Sequence, residues 1–198
     1  MLSLLSGTPA PSTAADPPPP GQITIDKLKA NGSGCRPQTI ATAISPDKQA
    51  FTITYSEYLA SVGPGIKSKE AHKDCGITIR LNVPAGYTYA ISHADYRGFA
   101  VLQAGVTGSH SAAYSFQASG HTPTVTTWSR TGPWDADLQI SDTPAAPLYG
   151  PCGKERKLDI NTNLDLTATG TQTDVSVVGI DSADGEFTST YKLAWKRC

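Results

Sequence analysis

The chain has 198 residues, a formal net charge of −1, 17% charged residues, 18 glycines and 15 prolines. A balance this close to neutral gives no electrostatic case for nucleic acid or an anionic membrane surface, and no apolar run approaches the ~20 residues of a membrane-spanning helix. The length fits one domain, and the glycine, proline, serine and threonine content favours many strands and turns over helices.

Residues 1–22 read as lying outside the fold. Leu2-Ser3-Leu4-Leu5 is short for the apolar region of a signal peptide and has no basic segment before it, so it reads as a truncated leader or a remnant near a small-residue cleavage site such as Thr13-Ala14-Ala15. Asp16 to Gly21, with four prolines in a row, reads as an extended linker. Residues 23–198 are then one β domain. Ile23-Thr24-Ile25-Asp26 is a first short strand. Asn31-Gly32-Ser33 is an N-glycosylation sequon beside Cys35, expected on a surface loop. Thr39 to Ser45 and Ala50 to Tyr55 form a hairpin around Pro46-Asp47-Lys48-Gln49. Gly63-Pro64-Gly65 opens a polar loop that ends at Asp74, with charges of both signs and no apolar period.

The stretch from Cys75 to Ala104 organises the rest. Ile77, Ile79, Leu81 and Val83 alternate with Thr78, Arg80 and Asn82, the period of a strand with one buried face. Pro84-Ala85-Gly86 reverses the chain. Tyr87, Tyr89 and Ile91 resume the alternation toward the same core. His93 to Gly98 reads as a polar bend, and Phe99, Val101 and Leu102 carry the apolar pattern into another strand. Ala112 to Ala118, Thr122 to Trp128 and Trp134 to Ser141 are further strands. Leu158, Ile160, Thr162, Leu164 and Leu166 alternate with Asp159, Asn161, Asn163 and Asp165. Val175 to Ile180 and Phe187 to Trp195 flank an Asp184-Gly185 turn. About ten short strands at near-regular spacing predict an antiparallel β-sandwich, jelly-roll-like in kind.

Four cysteines, Cys35, Cys75, Cys152 and Cys198, lie too far apart for a CxxC metal or redox motif. An even number in a chain of this composition reads as two disulfides and an oxidising compartment, hence a secreted, extracellular protein. Of the three connectivities, Cys35–Cys75 with Cys152–Cys198 staples each half of the chain separately.

The chemistry-bearing residues are sparse. Asp159-x-Asn161-x-Asn163 resembles the start of a calcium loop, but the positions that need glycine and glutamate hold Leu164 and Gly170, so these are outward residues of a strand. His72, His110 and His121 sit in loop-like contexts and read as surface residues. The glutamates Glu57, Glu70, Glu155 and Glu186 are few and turn-like. No GxSxG, HExxH, Walker or GxGxxG motif is present, and no spacing calls for a metal or a cofactor. Trp128, Trp134 and Tyr149 flank turns, where exposed rings stack on sugars, but large aromatics more often anchor a core. His93, Asp95, Tyr96 and Arg97 are the best candidate binding residues. His93 and Asp95 share a face if the strand is continuous, Tyr96 offers a ring and Arg97 a hydrogen-bonding fork. The polar segment Gly63 to Asp74 is the second candidate surface. Two function classes follow. One is a non-enzymatic binding or cell-surface module whose partner is a cell-wall polysaccharide or another extracellular protein. The other is a secreted hydrolase with an unrecognised site using His93 and Asp95.

Several pieces together, Gly32-Ser33-Gly34-Cys35, Ser45-Pro46-Asp47, Val62-Gly63-Pro64-Gly65, Cys75-Gly76-Ile77, Val83-Pro84-Ala85-Gly86-Tyr87, Asp95-Tyr96-Arg97-Gly98, Pro151-Cys152-Gly153 and the ending Leu193 to Cys198, resemble a family of small secreted proteins of fungi and some bacteria, domain of unknown function 4360. The resemblance runs from about Asn31 to the C-terminus. It implies secretion and a shared fold, and it implies no catalytic residue.

Overall fold

The structure, a computed structural model, describes residues 16–19, 21, 23–117, 124–152, 157–180 and 188–198. These contain twelve strands: β1 (Thr24–Asn31), β2 (Ile40–Ile44), β3 (Ala50–Tyr55), β4 (Leu59–Val62), β5 (His72–Asn82), β6 (Tyr87–Leu102), β7 (Val106–Phe116), β8 (Thr124–Thr131), β9 (Trp134–Asp142), β10 (Lys157–Ala168), β11 (Ser176–Gly179) and β12 (Thr188–Arg197). A 3-10 turn, Ser68–Ala71, is the sole helical element among the described residues. The strands make two antiparallel sheets. The first has the order β1-β5-β10-β7-β8, and the second β2-β3-β12-β6-β11-β4, with β9 also on β6. Asp95 pairs with Thr190 of β12 and with Ser141 of β9, so β9 and β12 lie on opposite edges of β6.

Side-chain alternation builds the core between the sheets. β5 turns in Cys75, Ile77, Ile79 and Leu81; β10 turns in Leu158, Ile160, Thr162, Leu164 and Leu166. They face a second sheet rich in rings: Phe51 stacks on Tyr191 with centroids 4.9 Å apart, and Tyr89 meets Phe116 of β7 edge-on at 5.1 Å. Another tyrosine on this sheet's side of the core, Tyr58, donates its hydroxyl across the interface to Thr162 Oγ1 at 2.8 Å. The disulfides are Cys35–Cys75 and Cys152–Cys198, as the spacing suggests. The first is buried, and both cysteines of the second are exposed.

The strands are longer than expected, five of them having ten or more residues. The polar loop closes early: His72 to Asp74 already belong to β5. His110, read as a loop residue, is on β7 and fully buried. Part of the front segment also departs from expectation. The Asp16 N–H donates to the Trp195 carbonyl at 3.0 Å, Asp16 Oδ2 accepts from the Arg197 N–H at 2.8 Å, and Pro19 is buried. β3 pairs with β12 only as far as Lys192, so the backbone of β12 beyond it is open to another strand-like segment. His121, Glu155, Glu186, Phe187 and the Asp184-Gly185 turn lie outside the described residues.

The main correction concerns residues 93–98. They form no bend: β6 is one strand of 16 residues. Lys192 pairs with His93 while its neighbour Leu193 pairs with Ile91, so Ser92 is the extra residue of a β-bulge, and its hydroxyl donates to the Lys192 carbonyl at 3.2 Å. Before the bulge Tyr89 and Ile91 face the core. After it Ala94, Tyr96, Gly98, Ala100 and Leu102 do. One inserted residue moves Tyr96 in and turns Phe99 and Val101 out, the reverse of the unbroken alternation. Gly98 fits because no side chain does: a Cβ there would sit 1.9 Å from the Gly179 carbonyl oxygen.

Candidate functional site

After the bulge, every second residue of β6 points to the outer face of the second sheet: His93, Asp95, Arg97, Phe99 and Val101. The flanking strands add Gln139 and Ser141 of β9, opposite Arg97 and Asp95, and Thr190 and Lys192 of β12, opposite Asp95 and His93. Asp95 is the hub. Its Oδ1 accepts from the Ser141 hydroxyl at 2.7 Å and lies 3.0 Å from His93 Nε2; its Oδ2 lies 3.9 Å from Lys192 Nζ. His93 Nδ1 lies 2.7 Å from the Thr143 hydroxyl. Partial burial works to raise the Asp95 pKa, but the hydrogen bonds from Ser141 and His93 and the nearby positive charge outweigh it, so the carboxyl is held below its usual range.

This geometry limits the chemistry. In a nucleophilic triad the serine hydroxyl meets the imidazole and the carboxylate orients the far nitrogen. Here the serine meets the carboxylate, and both imidazole nitrogens are engaged, one by Asp95 and one by Thr143. The arrangement fixes donors and acceptors in place and leaves His93 no free nitrogen with which to accept a proton from a substrate.

Beyond Arg97 the face turns apolar. Gly179 of β11 lies between Phe99 and Leu59 in the pairing, and a Cβ there would meet Leu59 Cδ1 at 2.7 Å and the Phe99 ring at 3.2 Å. Val101 and Val177, directly opposite each other, continue the half-buried strip. One open surface therefore carries a polar cluster at one end and an aromatic-aliphatic strip at the other.

Of the four residues singled out from sequence, His93 and Asp95 are brought together and Arg97 stands exposed on the same face. Tyr96 is a correction. It is fully buried, its hydroxyl lies 2.9 Å from that of Tyr114, and burial raises its pKa well above the usual phenol range. The Tyr114 hydroxyl in turn donates to buried Asp142. Adjacent strand residues face opposite ways, and the shift at Ser92 puts Tyr96 on the inner face and Arg97 on the outer one. Phe99, Ser141 and Thr143 were missed. Their signal is the alternation of β9, whose polar Asp137, Gln139, Ser141 and inward Leu138, Ile140 were legible, but whose partner strand was not.

The remaining candidates lie elsewhere. Residues 63–71 join β4 of one sheet to β5 of the other and supply none of the cluster's hydrogen bonds. His72 pairs with Asp165 at 2.6 Å, Glu57 with Arg36, and Glu70 with Lys73 at 2.5 Å. Trp128 and Trp134 are half-buried against the core with centroids 6.1 Å apart, and the Tyr149 ring is met by Lys196 Nζ at 5.4 Å. Asn31 is the exposed last residue of β1, and the sequon hydroxyl of Ser33 donates to Asp74 Oδ1 at 2.6 Å. Asp159, Asn161, Asn163 and Asp165 project away from the core, as the strand reading expects.

Two antiparallel sheets closed over one core and two disulfides define a disulfide-stapled β-sandwich protein. The chain belongs to the family described as Domain of unknown function (DUF4360), which it matches over residues 21–198. An uncharacterized secreted protein of Arthroderma benhamiae is 35% identical over 187 residues, covering 91% of this chain and 74% of the relative. With the disulfides, this makes the protein a secreted one. Among solved structures, TmCBM61 in complex with beta-1,4-galactotriose aligns at 10% identity and a TM-score of 0.32, covering 87% of this chain and 90% of that one. The enzymatically active domain of bacteriophage CBA120 tailspike protein 4 aligns at 9% identity and a TM-score of 0.28, covering 87% of this chain and 20% of that one. At such TM-scores neither likeness bears on ligand or mechanism.

Proposed function

We propose that this secreted protein is a non-catalytic binding module that takes a neutral cell-wall polysaccharide on the outer face of β6. The observation that carries the reading is the composition of that face. Asp95, Arg97, Gln139 and Ser141 offer hydroxyl-directed donors and acceptors beside the half-buried Phe99 and Leu59. A pyranose ring presents the same division, hydroxyls at its edge and C–H groups on its face, and an aromatic ring accepts the latter. A rigid sheet holds each group in place before the ligand arrives, which lowers the ordering cost of binding. The engaged nitrogens of His93 favour binding over hydrolysis.

The test is retention on insoluble neutral cell-wall polysaccharides run beside a panel of glycan and ester substrates. Phe99→Ala and Arg97→Ala are expected to weaken retention by about tenfold or more, as loss of a central aromatic or arginine contact does. Turnover of any substrate that disappears in His93→Ala or Asp95→Ala, with the fold intact, would replace this reading with the hydrolase.

A further inference from the structure

The outer face of the first sheet lies across the core from the outer face of β6 and carries a second feature. Asn31-Gly32-Ser33 is the one Asn-x-Ser/Thr sequence in the chain. Asn31 ends β1, the edge strand of its sheet, and it is exposed. No hydrogen bond engages its carboxamide among the described residues. The Asn31 side-chain nitrogen is therefore open to substitution.

The surface beside it is cleared of side-chain bulk. Asn31 pairs with Gly76 of β5, Gly76 with Asn161 of β10, and Asn161 with Ala113 of β7. The row crosses four strands with no side chain larger than an asparagine. Cys75 and Ile77 point into the core, so Gly76 faces out. A Cβ on Gly76 would lie 3.0 Å from Asn31 Oδ1 and 3.2 Å from Asn161 Oδ1, so the two carboxamides flank the bare glycine. The rows on either side are already bonded within the sheet: Thr78 donates to Asp159 at 2.6 Å, and Asn163 Nδ2 donates to Ser111 at 3.3 Å. A group attached to Asn31 can lie down over Gly76 and meet the Asn161 carboxamide without displacing a side chain.

We propose that Asn31 carries an N-linked oligosaccharide whose first sugar lies over Gly76 against Asn161. In the transfer, Asn31 Nδ2 attacks the anomeric carbon of a sugar held on a polyprenyl diphosphate. The N–C bond forms, and the C–O bond to the diphosphate breaks with its electron pair leaving on the phosphate oxygen. Nδ2 gives up one proton to a base of the transferase. The folded protein occupies the third residue of the sequon: the Ser33 hydroxyl donates to Asp74 Oδ1 at 2.6 Å and accepts from the Asp74 N–H at 3.1 Å. Transfer therefore precedes the closing of β1 on β5, while that hydroxyl is free for the enzyme that reads it. The first sheet holds this site, so the inference stands apart from the β6 face and leaves that face uncovered.

The full chain is secreted from a eukaryotic host, and the peptide containing Asn31 is weighed before and after enzymatic removal of N-glycans in heavy-oxygen water. Removal leaves a labelled aspartate at the glycosylated position, which separates it from spontaneous deamidation of the Asn31-Gly32 pair. The expected result is a glycan on that peptide, absent in Asn31→Gln and Ser33→Ala and kept in Ser33→Thr. An unmodified Asn31 overturns the inference. A double-mutant cycle reads the seating on the sheet. Asn161→Ala is expected to lower the thermal midpoint of the glycosylated protein by about 2–4 °C more than that of the Asn31→Gln protein. Equal shifts overturn the seating, because a glycan held in solvent does not sense the Asn161 side chain. Retention of the Asn31→Gln protein on neutral polysaccharide reads the β6 face, so the two readings fail separately.

Discussion

β10 and β6 are central strands of their sheets, and they solve the same problem differently. β10 keeps one strict alternation over its 12 residues, and its inward set of Leu158, Ile160, Thr162, Leu164 and Leu166 never changes face. β6 changes face at Ser92. In β10 the outward residues form an even polar ladder. In β6 the bulge brings His93 and Asp95 onto one face with Ser141 and Thr143, while Tyr96 drops into the core against Tyr114. The bulge thus sets which face the far half of β6 presents: it places Tyr96 in the core and Asp95 and Arg97 on the outer face.

A one-residue deletion separates the two strands and has the largest expected effect in β10, which has no residue to spare. Removing Thr162 turns Asn163 and Asp165 toward the core and Leu164 and Leu166 toward water. The buried unpaired charge and the lost leucines each cost several kcal/mol, comparable in sum to the roughly 5–15 kcal/mol that holds a domain together. In β6, removing Ser92 leaves Ile91 opposite Leu193 and His93 opposite Lys192 as consecutive pairs, so Ala94, Tyr96 and Gly98 keep their inward faces. The Thr162 deletion protein should lack the cooperative urea transition of the parent, and the Ser92 deletion protein should keep it. Loss of that transition on removal of Ser92 would show that the bulge itself is needed for folding.

His110 tests the space between the two strands. It sits on β7 directly opposite Leu164 of β10, and its ring centroid lies 4.5 Å from that of Tyr96 of β6. Neither ring nitrogen has a hydrogen-bond partner among the described residues. Burial lowers its pKa from 6.5 to about 4, and the nearby Asp142 only partly opposes this. Between those values the unfolded imidazole holds a proton that the folded one lacks, so stability falls as pH falls through that window. The loss is about 3 kcal/mol in all. His110→Phe should remove most of that slope, measured by urea unfolding between pH 7 and pH 4. An unchanged slope would mean that His110 takes up its proton in the folded state.

Ser92 and His110 also mark what was legible in the sequence. β5, β10 and the β2–β3 hairpin were readable because one period ran through each, and the disulfide pairing followed from chain order. β6 was readable only up to Ile91. A bulge leaves no composition signal, so His93 to Gly98 looked like a bend, and Tyr96 looked like an exposed ring. His93 and Asp95 were found because a two-residue spacing survives on the far side of the bulge. Ser141 and Thr143 were out of reach, since only the pairing of β9 with β6 brings them near. His110 was hidden for a related reason: Gly108, Ser109 and Ser111 around it are loop-like in composition, yet their places in β7 are set by 11 paired residues of β10. Tertiary pairing there outweighs local propensity.

The smallest effects separate neighbours on β6 itself. Tyr96 and Arg97 are adjacent in sequence and face opposite ways. Tyr96→Phe keeps the ring and removes the hydroxyl that lies 2.9 Å from Tyr114, while Tyr114 retains Asp142 as a partner. The expected cost is about 1 kcal/mol, the net worth of a buried hydrogen bond. Arg97→Ala removes an exposed side chain and should change stability by no more than about 0.5 kcal/mol, as surface substitutions do. The two variants should therefore differ in opposite senses, one in unfolding midpoint with retention on neutral polysaccharide intact, the other in retention with the midpoint intact. If Arg97→Ala lowers the midpoint as far as Tyr96→Phe, the outer face of β6 is holding the sheet together rather than waiting for a ligand, because an outward arginine that matters to folding must be bonded within the protein.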